Sequence, residues 1–180
     1  MKPIRRRDWR PGLLRAIYTP MTPIHPAARI GHVHLKVADL DRALGFWRDL
    51  LGLEVMLRRP GAVFLSAGGY HHHIALNTWE SAGGTPPPAG HTGLFHVALL
   101  YPDRTALAAA VRRVTEAGWP LEGASDHGVS EAIYLRDPDG NGVELYRDRP
   151  EAEWPRDEAG RMTMHTRHLD LAALLAEAPG

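Results

Sequence analysis

Residues 30–37 read IGHVHLKV, and the rest of the chain is best interpreted outward from this stretch. Its apolar and polar residues alternate, which predicts a strand that buries one face and exposes the other. The buried face would carry Val33, Leu35 and Val37, and the exposed face would carry His32, His34 and Lys36.

A helix and three more strands are predicted after this strand. Asp39 can cap a helix that ends at Gly52, because apolar residues recur between them at helical spacing. Those residues are Leu40, Ala43, Leu44, Trp47, Leu50 and Leu51. Residues 53–57, 62–66 and 72–77 then fit short strands, separated by Pro-Gly and Gly-Gly turns.

The second half of the chain repeats this order. A strand at 95–101 is followed by a helix from Asp103 to Gly118, a short segment near Leu121, and strands at 132–136 and 142–147. The repeat predicts an α+β fold of two tandem βαβββ modules, about 30–79 and 94–149. Because one such unit cannot close a core alone, we expect the two to pack into a cup-shaped mixed sheet.

The two flanks of this domain differ from it in composition. Residues 1–29 are rich in arginine and proline, and predict an extended arm that packs on the body or on a partner subunit. Residues 150–180 begin rich in proline and charge, and predict a docking tail with a short helix around 169–176.

Composition excludes several classes of protein. The 180 residues contain no cysteine, which excludes disulfides, thiolate catalysis and iron–sulfur sites. Twenty-one basic residues balance 21 acidic ones, so no net field attracts nucleic acid or an anionic membrane. No apolar run is long enough for a membrane span. Without a secretory signal, we expect the cytoplasm.

Two histidines and one glutamate form a candidate metal site. His32 and His96 occupy the same place in the first strands of the two modules, and both point away from the apolar side. Glu144 does the same in the last strand, so the three can converge on the concave surface. Two imidazoles and one carboxylate are the ligand set of non-haem Fe(II) oxygen chemistry, and also suit Mn, Ni or Zn. From spacing alone, surface histidines and a solvated Glu144 remain an equal alternative.

The motifs together resemble the vicinal oxygen chelate superfamily over residues 30–149. The resemblance lies in IGHV at 30–33 with its following helix, and in DPDGNGVEL at 137–145. That superfamily includes glyoxalase I, extradiol dioxygenases, fosfomycin-resistance enzymes and bleomycin-binding proteins. The resemblance implies that His32, His96 and Glu144 are metal ligands.

Three further features resemble the extradiol catechol dioxygenases. YHHHIAL at 70–76 is similar to the segment that holds their acid–base histidine, which lands here on His72. DHGVS at 126–130 is similar to the loop of their second conserved histidine, here His127. Tyr134 matches a tyrosine that hydrogen-bonds substrate. The last strand of the first module, IALN at 74–77, lacks the carboxylate that glyoxalase I uses as a fourth ligand.

Each of these residues has a plainer interpretation. The histidine run could be a solvated face, and His71 or His73 could be the working histidine instead of His72. His127 could brace its loop, and Tyr134 could be ordinary packing. His34 shares the face of His32, and we expect a structural role for it.

The resemblance implies an Fe(II)-dependent extradiol ring-cleaving dioxygenase that acts on a catechol-type aromatic diol and O₂. The alternatives are a metal-dependent isomerase, lyase or thiol transferase of the glyoxalase or fosfomycin-resistance type, and a non-catalytic small-molecule-binding protein. Most extradiol enzymes of this kind carry four modules, whereas this chain has two. The exposed sheet edge and the basic arm favour a homodimer.

Overall fold

The computed structural model describes residues 22–179. The predicted arm, residues 1–29, falls mostly outside these residues. Residues 22–30 are exposed and contain neither helix nor strand, and from Gly31 onward the chain forms a separate unit. No helix within the described residues combines the length and the apolar character that crossing a bilayer requires.

The body contains the predicted βαβββ order twice. The first module consists of β1 (Val33–Lys36), α1 (Leu40–Leu44), β2 (Glu54–Arg59), β3 (Ala62–Ser66) and β4 (Ile74–Asn77). The second consists of β5 (Val97–Leu100), α2 (Arg104–Glu116), β6 (Leu121–Asp126), β7 (Ser130–Arg136) and β8 (Gly142–Asp148). The tail adds a 3₁₀ turn (Glu151–Glu153), β9 (Arg167–His168) and α3 (Leu171–Leu175). The α+β fold class is confirmed.

The strands form two mixed sheets, one for each module. The first has the order β1-β4-β3-β2, and the second has the order β5-β8-β7-β6-β9. In both sheets the first strand of the module runs parallel to its last strand, and the other pairs are antiparallel. Because β1 and β5 stand at one end of these strand orders, the first strand of each module lies at a sheet edge.

The first helix differs from its prediction. Asp39 caps α1 as expected, its carboxylate accepting a hydrogen bond from the Arg42 backbone N–H at 2.7 Å. The helix then continues as a π-helix over Gly45–Leu50, within which the adjacent Phe46 and Trp47 are both fully buried. The spacing of apolar residues indicates which side chains face inward. It does not distinguish the backbone hydrogen bonds of a π-helix, between residues five apart, from those of an α-helix, between residues four apart. The prediction of one regular helix was wrong for this reason.

A turn at residues 137–141 joins the modules. The Asp137 carboxylate accepts a hydrogen bond from the Trp47 indole N–H at 3.3 Å, and the Asp139 carboxylate accepts from the Ala38 backbone N–H at 2.9 Å. The Arg42 guanidinium binds the same Asp139 oxygen at 2.5 Å. These contacts connect the β7–β8 turn with α1 and the π-helix, and one hydrophobic core spans both modules.

The buried carboxylate of Glu131 connects several elements of the second module on the core side of its sheet. The Glu131 side chain is 4% exposed and accepts hydrogen bonds from Arg104 at 2.8 Å, Arg147 at 2.9 Å and Arg149 at 3.0 Å. Arg104 also pairs with Glu177 of the tail. The cluster therefore connects α2, β7, β8 and the tail, whose Leu174 is fully buried.

Several predicted boundaries move. β1 and β5 begin at Val33 and Val97, later than predicted, and β4 begins at Ile74, so that His72 precedes the strand. The segment near Leu121 is a full strand. β9 was not predicted, because two exposed residues give no alternation that could be read from a sequence.

We expect Glu131→Gln to lower the free energy of unfolding by about 3 kcal/mol, because it leaves three partly buried guanidinium groups without their common carboxylate. Urea unfolding followed by circular dichroism measures this. Asp49→Asn is the matched control, since Asp49 pairs with Arg48 at 2.6 Å but both side chains are about half exposed. Equal stability of the two variants would contradict a structural role for the buried cluster.

Candidate metal centre

The candidate residues lie on the exposed faces of the two sheets, opposite the core. On β1, His34 and Lys36 are exposed while Leu35 is buried, as the alternation predicted. On the second sheet, Glu144 and Tyr134 are paired neighbours in β8 and β7 and share a face. On each of these strands, the candidate functional side chains thus point to one face of the sheet and the core side chains point to the other.

His96 and Glu144 form one half of the candidate centre. The His96 Nε2 and Glu144 Oε2 atoms are 2.9 Å apart, and Glu144 is only 12% exposed. Two ligand atoms that each lie about 2.1 Å from a metal, at right angles, are about 3.0 Å apart. The pair therefore has the spacing of adjacent metal ligands, and imidazole with carboxylate is a donor set that fits Fe(II) or another first-row ion.

The close approach of β5 to β8 places this pair. A Cβ on Gly142, at the start of β8, would overlap the Phe95 carbonyl oxygen and lie 3.0 Å from the His96 Cβ. Because Gly142 has no side chain, the backbone of β8 can approach β5 closely enough for Glu144 to reach His96. A cavity of about 320 Å³ opens beside the pair, lined by Phe95, His96, Tyr134 and Arg136 among others.

Tyr134 connects Glu144 with His127. Its hydroxyl oxygen lies 3.1 Å from Glu144 Oε1 and 2.7 Å from His127 Nε2. Burial, followed by the charge of Glu144, raises the pKa of Tyr134 to about 12. The hydroxyl therefore keeps its proton at neutral pH and acts as a hydrogen-bond donor.

The loop after β6 holds His127. The Asp126 carboxylate accepts a hydrogen bond from the Gly128 N–H at 2.8 Å and binds Arg149 at 2.8 Å. The pKa of Asp126 is lowered by that backbone hydrogen bond and by Arg149, against the opposing effect of burial. The loop is thus connected to the residue that follows β8, and the His127 Nε2 atom faces the Tyr134 hydroxyl.

His32 and His72 form the other half, on the first sheet. Their ring centroids are 4.4 Å apart, and the His72 ring also meets Phe64 edge-on at 5.1 Å. His72 reaches this face because it lies before β4 begins, so strand alternation does not apply to it. Burial first, and then the neighbouring His32 and His71, lower the pKa of His72.

The other histidines of the first module have separate partners. His34 lies 2.9 Å from the Asn77 amide nitrogen, and burial lowers its pKa. His73 Nδ1 lies 3.0 Å from the Ser66 hydroxyl, which turns it away from His72. His71 Nδ1 contacts His72 Nδ1 at 2.8 Å. These contacts suit the structural role expected for His34, and they place His72 rather than His73 beside His32.

The two halves do not meet within one chain. Among residues 22–179, no three His, Asp or Glu side chains lie close enough together to hold one metal ion. His96, Glu144, Tyr134 and His127 are connected on the second sheet, and His32 is in contact with His72 on the first. The His127 Nδ1 atom also lies 3.2 Å from the His165 carbonyl oxygen and 3.3 Å from the Thr166 hydroxyl oxygen of the tail. Sequence reasoning did not identify these two residues, because nothing in their spacing distinguishes them.

Comparisons with known proteins agree on the family and differ on the reaction. The family model of the glyoxalase/bleomycin resistance protein/dioxygenase superfamily matches residues 29–145. The catechol-2,3-dioxygenase of Bacillus subtilis (strain 168) is 41% identical over 158 residues, covering 88% of this chain and 55% of that protein. The biphenyl-2,3-diol 1,2-dioxygenase 3 of Rhodococcus globerulus is 33% identical over 121 residues, covering 67% and 63%. The chain thus spans somewhat more than half the length of these relatives.

A solved structure of a different enzyme is also similar. The lactoylglutathione lyase from Agrobacterium tumefaciens is 28% identical, with a TM-score of 0.54 over 68% of this chain and 96% of that one. Proteins named as dioxygenases and a protein named as a lyase are therefore both similar to this chain.

We expect wild type and Tyr134→Phe to give the same tyrosinate absorbance around pH 10, where an ordinary tyrosine is half ionised. The raised pKa of about 12 delays ionisation of Tyr134. Ultraviolet titration of the two proteins measures the difference. If the variant shows less tyrosinate absorbance than wild type near pH 10, by the amount of one tyrosine, then Tyr134 ionises like an ordinary tyrosine and is not buried against Glu144.

Proposed function

The chain belongs to the glyoxalase/bleomycin resistance protein/dioxygenase superfamily, and on this premise we propose that it is an Fe(II)-dependent extradiol dioxygenase that opens a catechol-type aromatic diol. The observation that carries the proposal is the set of proton-handling groups beside the candidate ligands. His72 stands next to His32, and Tyr134 with His127 stands next to Glu144. An isomerase or lyase of this fold has no need of both sets.

The proposed roles follow from the donor atoms. His32, His96 and Glu144 would hold the metal, with Fe(II) first and Mn, Ni or Zn as alternatives. When bound, the metal would bring the diol and O₂ together and move electron density between them. In the overall reaction the ring bond beside the diol breaks, and both oxygen atoms of O₂ enter the product.

His72 and Tyr134 would handle the diol protons and oxygens. The lowered pKa of His72 leaves its ring neutral at pH 7, so it can accept a proton from the diol and return it later. Tyr134 keeps its proton and can donate or accept a hydrogen bond at a substrate oxygen. His127 would orient the Tyr134 hydroxyl through the contact at its Nε2 atom.

The separation of the two halves leads us to propose a homodimer with shared sites. His32 and His96 lie just before β1 and β5, which are both edge strands. Beside β5, Phe95, Leu94 and Leu100 are 82%, 53% and 57% exposed, and such an edge is a template for pairing. With β1 of one chain beside β5 of its partner, His32 would face His96 and Glu144 of the other chain. A two-fold axis would give two such sites.

A lyase of the glyoxalase type is the second candidate, supported by the likeness to the Agrobacterium lactoylglutathione lyase. The first sheet argues against it. In β4, Ala75 and Asn77 occupy the places open to a further ligand, and Asn77 is engaged with His34. Dependence on O₂ separates the two reactions.

We expect the Fe(II)-loaded protein to consume O₂ with a simple catechol and to form a yellow ring-opened product. An oxygen electrode and parallel absorbance measure both. His72→Ala should lower kcat by about 10²- to 10⁴-fold, the usual contribution of a general acid–base, while iron content stays unchanged. His73→Ala is the matched control, because the His73 ring is engaged by the Ser66 hydroxyl at 3.0 Å and not by His72.

Absence of O₂ uptake from protein that holds iron would contradict the proposed reaction. A lyase assay with thiol adducts of 2-oxoaldehydes, using Zn, Ni or Mn, would then test the second candidate.

Chains carrying His32→Ala and His96→Ala test the shared sites. Each homodimer would lack one ligand in both sites. A heterodimer purified through two different tags would contain one intact site of two, and should regain about half of the wild-type activity and one tightly bound metal ion. If each site were built within one chain, the heterodimer would be as inactive as the two homodimers.

A further inference from the structure

A row of rings runs along the first sheet and begins at the candidate metal ligand His32. From there, consecutive ring centroids are 4.4 Å apart to His72, 5.1 Å to Phe64, 6.2 Å to His34 and 5.3 Å to Trp79. At these spacings each ring contacts the next one. The roles proposed above use only the first two rings, so the other three have no part in the chemistry described so far.

The middle of the row lies on one rung that crosses the sheet. His34 on β1 and Phe64 on β3 are both register partners of Ala75 on β4, so these side chains share the face opposite the core. Ala75 is fully buried on this face, because the longer rings on either side cover it. Leu57, 43% exposed, continues the rung on β2. The rung thus has a small floor and apolar or aromatic sides.

Trp79 ends the row and is held in place, although it is 64% exposed. Its ring meets the His34 ring edge-on and lies against Gly61, where a Cβ would be 3.0 Å from the indole Cδ1. Its backbone N–H donates a hydrogen bond to the Asn77 side-chain oxygen at 3.2 Å. A large apolar ring that is fixed in position, yet open to solvent on the functional face, is typical of a surface that binds a ligand.

The charges near this face indicate what kind of ligand fits. The middle rung consists of a leucine, a phenylalanine, an alanine and a histidine, and contains no carboxylate, lysine or arginine. At the far end, Lys36 is paired with Glu80 at 3.2 Å, and Arg59 lies on the outer strand β2. The rung therefore favours an uncharged apolar group over an anionic one.

We propose that His34, Phe64 and Trp79 form a subsite for an apolar or aromatic substituent of the substrate. The proposal rests on the proposed function, because the diol oxygens at a metal beside His32 place the diol ring at the start of the row. A group attached to that ring then continues over Phe64 toward Trp79. The substrate class is a catechol that carries an uncharged aryl or alkyl group, and simple catechol is a weaker ligand.

Affinities measured without O₂ test the subsite independently of turnover. Anaerobic calorimetry of the Fe(II)-loaded protein compares catechol with 3-phenylcatechol and 4-phenylcatechol, which carry the second ring beside the diol and one carbon further away. We expect the tighter of the two phenyl compounds to bind roughly ten-fold more strongly than catechol, since each ring contact contributes a factor of about two to ten.

Variants of the row identify the residues responsible. Trp79→Ala should weaken binding of that phenyl compound roughly three- to ten-fold and leave the Kd of catechol unchanged, because Trp79 is the ring farthest along the row from His32. Phe64→Leu keeps an apolar side chain but removes the ring, and should act in the same direction. Met162→Ala is the matched control, since Met162 is 49% exposed in the tail and should change neither affinity.

Three results would overturn the subsite. They are equal Kd values of wild type for catechol and both phenyl compounds, equal weakening of catechol and phenyl compound by Trp79→Ala, and tighter binding of 3,4-dihydroxybenzoate, which would indicate recognition of charge.

The oxygen electrode distinguishes this failure from failure of the proposed reaction. Uptake of O₂ without a preference for the phenyl compounds contradicts the subsite alone. A preference in binding without O₂ uptake contradicts the reaction alone.

Discussion

The centre depends on the buried carboxylate of Asp137. It accepts hydrogen bonds from the Trp47 indole, the Asn141 amide and the backbone N–H groups of Asp139 and Asn141. Burial raises the pKa of Asp137, and these donors oppose that effect by stabilising the charged form. The turn they fix sets where β8 begins, and Gly142 and Glu144 follow directly from it. The same turn binds α1 through Asp139, so one loop positions both the ligand strand and the packing of the modules.

Alternation of apolar and polar residues was sufficient to predict much of this structure. The strand 62–66 was predicted to the residue, and the placement of His34 and Glu144 on the face opposite the core follows from their neighbours. The helix starts at Asp39 and Asp103 could be predicted because an aspartate directly before a helical apolar pattern can accept a hydrogen bond from a free backbone N–H of the first turn. The grouping of His127 with Tyr134 came from a resemblance to a family, and no periodicity could have supplied it.

Other features left no trace in the sequence. The tail contacts the His127 ring through the backbone carbonyl of residue 165. Because every residue has this group, the side chain at that position does not indicate the contact. The separation of His32 from His96 depends on whether the two modules pair within one chain or between two chains. Both arrangements bury the same faces of the strands, so alternation does not distinguish them. His72 lies ahead of its strand, where alternation has no predictive value.

The π-helix at Gly45–Leu50 has a consequence for the length of the chain. Its bond from the Leu51 N–H to the Phe46 carbonyl spans five residues, so this turn holds one residue more than an α-turn. Removing that residue would yield a more regular helix, but would rotate one end by about 100° relative to the other. Trp47 could then stay on Asp137, or Leu51 could stay in the core, but not both. Insertions and deletions in related sequences should therefore spare this helix and accumulate in the segment between the modules.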